Sequence, residues 1–243
     1  MNKHILLLLS FSFLFCSCKN IVEEYYENGN IKSHTVYKHD LKEGVATEYY
    51  ASGAIQSVIE YKNGKANGVS QYFDEFGVKK MEVTMRDGKK EGRMRTFYFN
   101  GDIETEATYH NDLLNGVQSK YAQERFKLEE TTYVNGVENG PAKAWHNKDL
   151  LKFSGSYKNG LWDGHWAYYD EREFLVGEGD FTEGTGKQTT YDSNGNLYKT
   201  TQYVKNHKEG DEIFYDAKGN VVKTLTYAND HLTAVNGKAI ETD

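Results

Sequence analysis

Beyond its first eighteen residues the chain carries seven histidines, His34, His39, His110, His146, His165, His207 and His231. A metal centre needs ligands that converge, yet none of these belongs to an H-E-x-x-H pattern or has a cysteine companion. No metal and no cofactor is expected. His165 beside Asp163 reads as a solvated turn pair. Gly184-Thr-Gly186-Lys187 resembles a phosphate loop only superficially, because Phe181 stands where the first loop glycine belongs and Gln188 where Ser or Thr should be. No helix signal follows to hold a phosphate. There is no G-x-S-x-G elbow, and no cysteine beyond residue 18 to act as a nucleophile. The chain is therefore expected not to be an enzyme. Glu82, Glu106 and Glu130 recur every 24 residues. They read as a solvated ladder of negative charge, with a cationic partner or divalent ion as the functional alternative.

The elements that carry these side chains follow from composition and spacing. The 243 residues include 29 Lys and Arg against 36 Asp and Glu, a formal charge of −7. That balance argues against nucleic acid, which demands a basic face. One proline, 23 glycines and 19 tyrosines favour short strands and tight turns over helices.

Glycines stand at 44, 68, 92, 116, 140 and 164, and the series resumes at Gly186 and Gly210. Seven residues before the first six come Tyr37, Tyr61, Met85, Tyr109, Tyr133 and Tyr157; Phe181 and Tyr203 continue that column. Five residues after the glycines comes a second column: Tyr49, Phe73, Phe97, Tyr121, Trp145, Tyr169, Tyr191 and Tyr215. All of its members are aromatic. Asn-Gly and Asp-Gly pairs punctuate the repeats, and they are strong hairpin signals because both central residues of a type I′ turn need positive φ. Between turns the pattern alternates with period two, so Ser57, Ile59 and Tyr61 share a face.

The fold class expected is all-β: an elongated, single-layer antiparallel meander of about eight stacked hairpin repeats, with sixteen to eighteen strands. The two aromatic columns are expected side by side as the core, each ring burying against the next, because a lone hairpin is marginal. Tyr26, outside the columns, is expected to add little. The seventh repeat is two residues short between Phe181 and Gly186, a loss assigned to its turn; an even loss preserves facing. Arg125, Asp149 and Glu173 replace the glycine of the shorter turn, which implies altered turns there. Trp162, Trp166, Tyr168 and Phe214 stand outside the columns and read as an outer contact patch.

The opening segment is a separate signal. Lys3 precedes an apolar run from Ile5 to Phe15, followed by Cys16-Ser17-Cys18. A helix spanning a bilayer takes about 20 apolar residues, so this run has the length of a secretory signal instead. Its end resembles the lipobox of bacterial lipoproteins, in which a cysteine is diacylated and becomes the first mature residue. Cys18 fits better than Cys16, since Ser17 is small and Phe15 bulky. The resemblance implies a signal peptide over 1–17, a lipidated tether over 18–24 and attachment to a membrane of the cell envelope. Lys19 is not the aspartate that commonly holds lipoproteins in the inner membrane, so the outer membrane is expected. No other cysteine follows, so stability must come from packing without disulfides.

Residues 25–231, with a tail over 232–243, resemble the MORN repeat, and more closely its bacterial variant. The variant's pattern, Y-x-N-G-x-x-x-G-x-x-x-x-Y-Y-x-x-G-x-I/L, is matched most fully by Tyr157-Lys-Asn-Gly-Leu-Trp-Asp-Gly164 with Trp166, Tyr168 and Tyr169. Tyr203 to Val221 is also close. The resemblance implies stacked hairpins and a scaffolding or binding module, sometimes tied to membranes, whose bacterial form often carries an antitoxin label. The function expected is a non-enzymatic, membrane-anchored lipoprotein that binds a protein partner through its repeat surface. An antitoxin or immunity protein is the first alternative and a glycan-binding envelope lipoprotein the second.

Overall fold

A computed structural model describes residues 19–239. The signal peptide over 1–17 and lipidation at Cys18 fall outside that range. The described residues form one open antiparallel sheet of 23 strand segments and contain no helix. The count exceeds expectation partly because some strands are split beside a repeat glycine, as Leu41–Lys42 is from Gly44–Tyr49. It also exceeds it because both ends are structured. Asn20–Tyr25, expected to be tether, pairs with Ile31–Lys38. His231–Val235 and Lys238–Ala239, expected to be mostly tail, form a last hairpin.

Two hairpin types alternate. The longer one closes through a two-residue turn with positive φ at both positions, as at Asn63 (51°) and Gly64 (80°). This is the type I′ geometry whose twist suits antiparallel strands. The repeat glycine then forms a bulge: Tyr61 faces Ala66 and Ile59 faces Ser70, so Asn67 and Gly68 are extra on one strand. In the shorter hairpin Tyr50 N–H donates to Ala54 O and Gly53 N–H to Tyr50 O, each at 2.8 Å.

Successive long turns are bonded to one another. Gly64 N–H donates to Lys42 O, Gly88 N–H to Ala66 O, Gly136 N–H to Leu114 O and Gly160 N–H to Glu138 O, at 2.7–2.9 Å. In a lone type I′ turn this amide would face water. Here the next repeat supplies the acceptor, so each hairpin is completed by its neighbour.

The seventh repeat keeps its turn, at Glu183 (φ 50°) and Gly184 (φ 75°). What it lacks is the bulge: Phe181 pairs directly with Gly186, and the register runs unshifted from Gly177 to Thr182. The missing residues are thus those of the bulge and not of the turn, while the parity argument holds. Arg125 and Glu173 also keep the ordinary short turn, both at φ 66°, with Arg125 N–H donating to Ala122 O and Glu173 N–H to Asp170 O. At Asp149 the turn does change. Its N–H and that of Leu150 donate to Asn147 Oδ1.

The core differs from the aromatic columns. Directly paired residues run across the sheet as one buried row, including Thr35, Ala46, Ser70, Val83, Ala107, Thr131, Ala142, Trp166, Thr201, Glu212 and Leu225. Each row member on a first-column strand stands two residues before the column ring, so row and ring share a face. The second column lies on the opposite face, because Tyr49 is odd-numbered from Ala46 and Glu48 along one strand. The two columns are therefore not side by side, and most of their rings are only partly buried. Phe181, at 4% exposure, is the exception. Rings of the first column are separated by the residue two before each glycine. Lys42 Nζ lies 4.8 Å from the Tyr61 ring centroid, Lys90 Nζ 4.8 Å from that of Tyr109, and Lys208 Nζ 4.7 Å from that of Tyr227. In these three repeats ammonium groups space the rings, whereas Trp162 at the same position sets ring against ring.

Candidate functional site

Trp166, expected on an outer patch, is 2% exposed and is the largest side chain of the buried row. Its ring centroid lies 5.0 Å from Tyr157, 5.8 Å from Phe153, 5.9 Å from Trp162 and 6.2 Å from Tyr168. Gly155, Gly177 and Gly179 leave room for this cluster: a Cβ at 155 would overlap the indole, and one at 177 would touch Tyr168. Trp162 bridges Phe181 and Tyr203, at 5.2 Å from each. Burial pushes the Tyr168 hydroxyl pKa up to about 12 and raises those of Tyr157 and Tyr203. Trp162 and Tyr168 therefore pack the core from its flanks. Phe214 lies elsewhere, edge-on to Tyr198 at 5.7 Å with Lys199 and Lys223 against it. The four residues do not form a common outer patch.

The acidic ladder is internally neutralised. Glu82 accepts from Lys79 and Gln71, Glu106 pairs with Arg95 and Arg93, and Glu130 pairs with Lys127. The bonds from Lys79 and Gln71 hold the Glu82 carboxyl below its ordinary pKa. A free row of carboxylates for a cation is absent among the described residues, as is any cluster of three or more metal-ligating side chains. His165 pairs across the strands with Asp180 at 2.9 Å, while Asp163 accepts Glu183 N–H.

Two features escaped sequence reasoning. Where the residue after a second-column aromatic is tyrosine, it fastens repeats together: Tyr26, Tyr50 and Tyr98 donate their hydroxyls to Tyr49 O, Phe73 O and Tyr121 O at 2.6–2.8 Å. Their place in the 24-residue repeat, each one after a second-column aromatic, was the available signal. Tyr26 is thus no bystander. Where that position is Asp, as at Asp74 and Asp216, the carboxylate instead accepts amides of its own turn. The second feature is a pair of phenylalanines at neighbouring short-turn tips. Phe76 is 83% exposed and Phe99 66%, with their rings edge-to-face at 6.5 Å. Both lie on the edge of the sheet formed by the short turns.

Residues 20–39, 42–63, 90–111, 185–205 and 208–229 match the sequence profile of the family described as MORN repeat variant. The chain carries MORN repeats of this variant type. The structure extends the repeat beyond the matched segments, since the long turns at Asn135-Gly136 and Asn159-Gly160 make the same turn-to-turn bonds as Asn63-Gly64. No curated protein matches the chain. The MORN architecture accounts for the recurring glycines and aromatics as the means of stacking. It leaves Phe76 and Phe99 without a structural role, because neither supports a turn bond through its side chain.

Proposed function

We propose that this MORN-repeat chain is a lipid-anchored envelope protein that presents its short-turn edge to a protein partner. The observation that carries this reading is the exposed Phe76–Phe99 pair together with the path of the first strand. Asn20 pairs with Tyr37 near the His39–Asp40 long turn, and Tyr25 pairs with Ile31 at the first short turn. A chain arriving from Cys18 thus enters at the long-turn edge. Eight-residue strands such as Ile55–Lys62 at about 3.3 Å per residue put the phenylalanines about 25 Å from that edge. A lipid on Cys18 would hold the long-turn edge against the bilayer and turn Phe76 and Phe99 away from it. Large exposed aromatic side chains, gathered at rigid turn tips and unused by the fold, are common anchors of protein interfaces. The scaffold would be pre-ordered, so binding would cost little backbone entropy.

Two variants test the two halves separately. Cys18→Ser should move the protein from the membrane fraction to the soluble fraction; retention at the membrane would overturn the anchor. Phe76→Ser with Phe99→Ser should leave thermal unfolding unchanged and remove crosslinks formed in intact cells by a photoreactive residue at position 75. Crosslinks that survive the double variant would remove the phenylalanines from the interface.

A further inference from the structure

The chain contains ten Asn-Gly dipeptides, and this is the sequence most open to a spontaneous reaction. Glycine has no Cβ to obstruct its amide nitrogen, which can attack the asparagine side-chain carbonyl carbon. The new C–N bond closes a succinimide and expels ammonia; water then opens the ring to aspartate or isoaspartate. A glycine N–H committed to a rigid acceptor is withheld from this attack.

Six of the ten glycine amides have an acceptor in the turns, and three more glycines lie in paired strands. In the stacked long turns Gly64 N–H donates to Lys42 O at 2.9 Å, Gly136 N–H to Leu114 O at 2.7 Å and Gly160 N–H to Glu138 O at 2.8 Å. In the short turns Gly29, Gly101 and Gly195 donate to Tyr26 O, Tyr98 O and Asp192 O at 2.9–3.0 Å. Gly68, Gly116 and Gly140 lie within strands, paired with Met85, Tyr133 and Tyr157.

Gly237 is different. Its turn joins the last two strands, His231–Val235 and Lys238–Ala239, and no further hairpin stacks on it among the described residues. The Gly237 N–H has no acceptor among those residues. The asparagine beside it is activated as well: Asn236 Oδ1 accepts Thr224 N–H at 2.9 Å, which polarises the carbonyl under attack. We propose that Asn236-Gly237 is the deamidation site of this protein, and that turn stacking, bonds within the short turns and strand pairing shield the other nine asparagines from the same chemistry. Conversion to isoaspartate adds a backbone carbon and a negative charge to the turn. That lengthened turn displaces the Thr224 N–H bond to Asn236 Oδ1 and the Asn236 N–H bond to Thr224 O at 2.8 Å, and loosens the hairpin that caps this edge of the sheet.

The test is peptide mass mapping of the purified chain during incubation in mildly alkaline buffer, folded and in urea. Unfolded, all ten sites should convert at comparable rates. Folded, Asn236 should convert within about threefold of its unfolded rate, and Asn63, Asn135 and Asn159 at least about tenfold more slowly than in urea, because they react only from locally opened repeats. If Asn236 converts no faster than those three in the folded chain, the site is wrong. If their rates are equal in buffer and urea, the shielding is wrong.

Discussion

The indole of Trp166 occupies the space that a side chain at position 155 would need. Gly155 flanks it on one side, and Gly179 is its direct cross-strand partner on the other. Its Nε1 donates to Ser156 O at 3.0 Å. The largest member of the buried row thus stands between two residues that lack side chains. Trp166→Ala should cost about 3–5 kcal/mol, because no neighbour can fill the void. Gly155→Ala should cost about 1–3 kcal/mol by overpacking. The double variant should cost less than the two effects added, since truncating the indole makes room for the methyl. Urea unfolding of the three variants measures this coupling, and strict additivity would show that the residues do not share that space.

Tyr98 illustrates the fastening between repeats. Its hydroxyl donates to Tyr121 O at 2.6 Å, and Tyr98→Phe removes that bond with almost no change of shape. The expected loss is about 1 kcal/mol. Tyr215→Phe is the control, because the Tyr215 hydroxyl makes no hydrogen bond among the described residues. Equal melting temperatures for the two variants would show that the fastening adds nothing.

Glu173 stands at φ 66° in a turn where other repeats use glycine. Its left-handed backbone is unfavourable for an L-residue, while a glycine there would loosen the unfolded chain. Glu173→Gly should therefore stabilise by about 0.5–1 kcal/mol net. Arg125→Gly relieves the same strain but breaks the Arg125–Asp102 ion pair at 2.6 Å, so it should gain less. Thermal melts rank the two, and a loss of stability in Glu173→Gly would refute the strain.

Tyr168 makes the fold sensitive to alkali. Burial raises its pKa from 10.0 to about 12, so the folded state favours the neutral phenol. That contribution is complete below pH 10 and is lost as the pH rises towards 12. Tyr168→Phe should flatten the decline in melting temperature over this window. An unchanged slope would place the alkaline sensitivity elsewhere.

Much of the fold was legible because its determinants are local. Asn63-Gly64 specifies a type I′ turn within two residues, and the aromatic five places after each glycine fixes strand length and register. The parity argument for Phe181 also depends only on counting along one strand. The buried row was not legible. Thr35, Ser70, Thr131 and Thr201 are ordinary residues for an exposed strand, and they are buried only because neighbouring strands bring larger side chains alongside. Trp166 was misplaced for the same reason, since the glycines that accommodate it lie eleven residues before it and thirteen after it.

By itself, then, the amino-acid order determined the hairpins, their repeat length and the even spacing of their aromatics, since turn chemistry and two-residue alternation act over a few bonds. Tertiary structure alone decided which face is covered and which side chain satisfies a neighbouring turn. It also decided which aromatics remain in water. Those outcomes depend on the separation between strands, and a hairpin acquires that surface only when the next one is laid beside it.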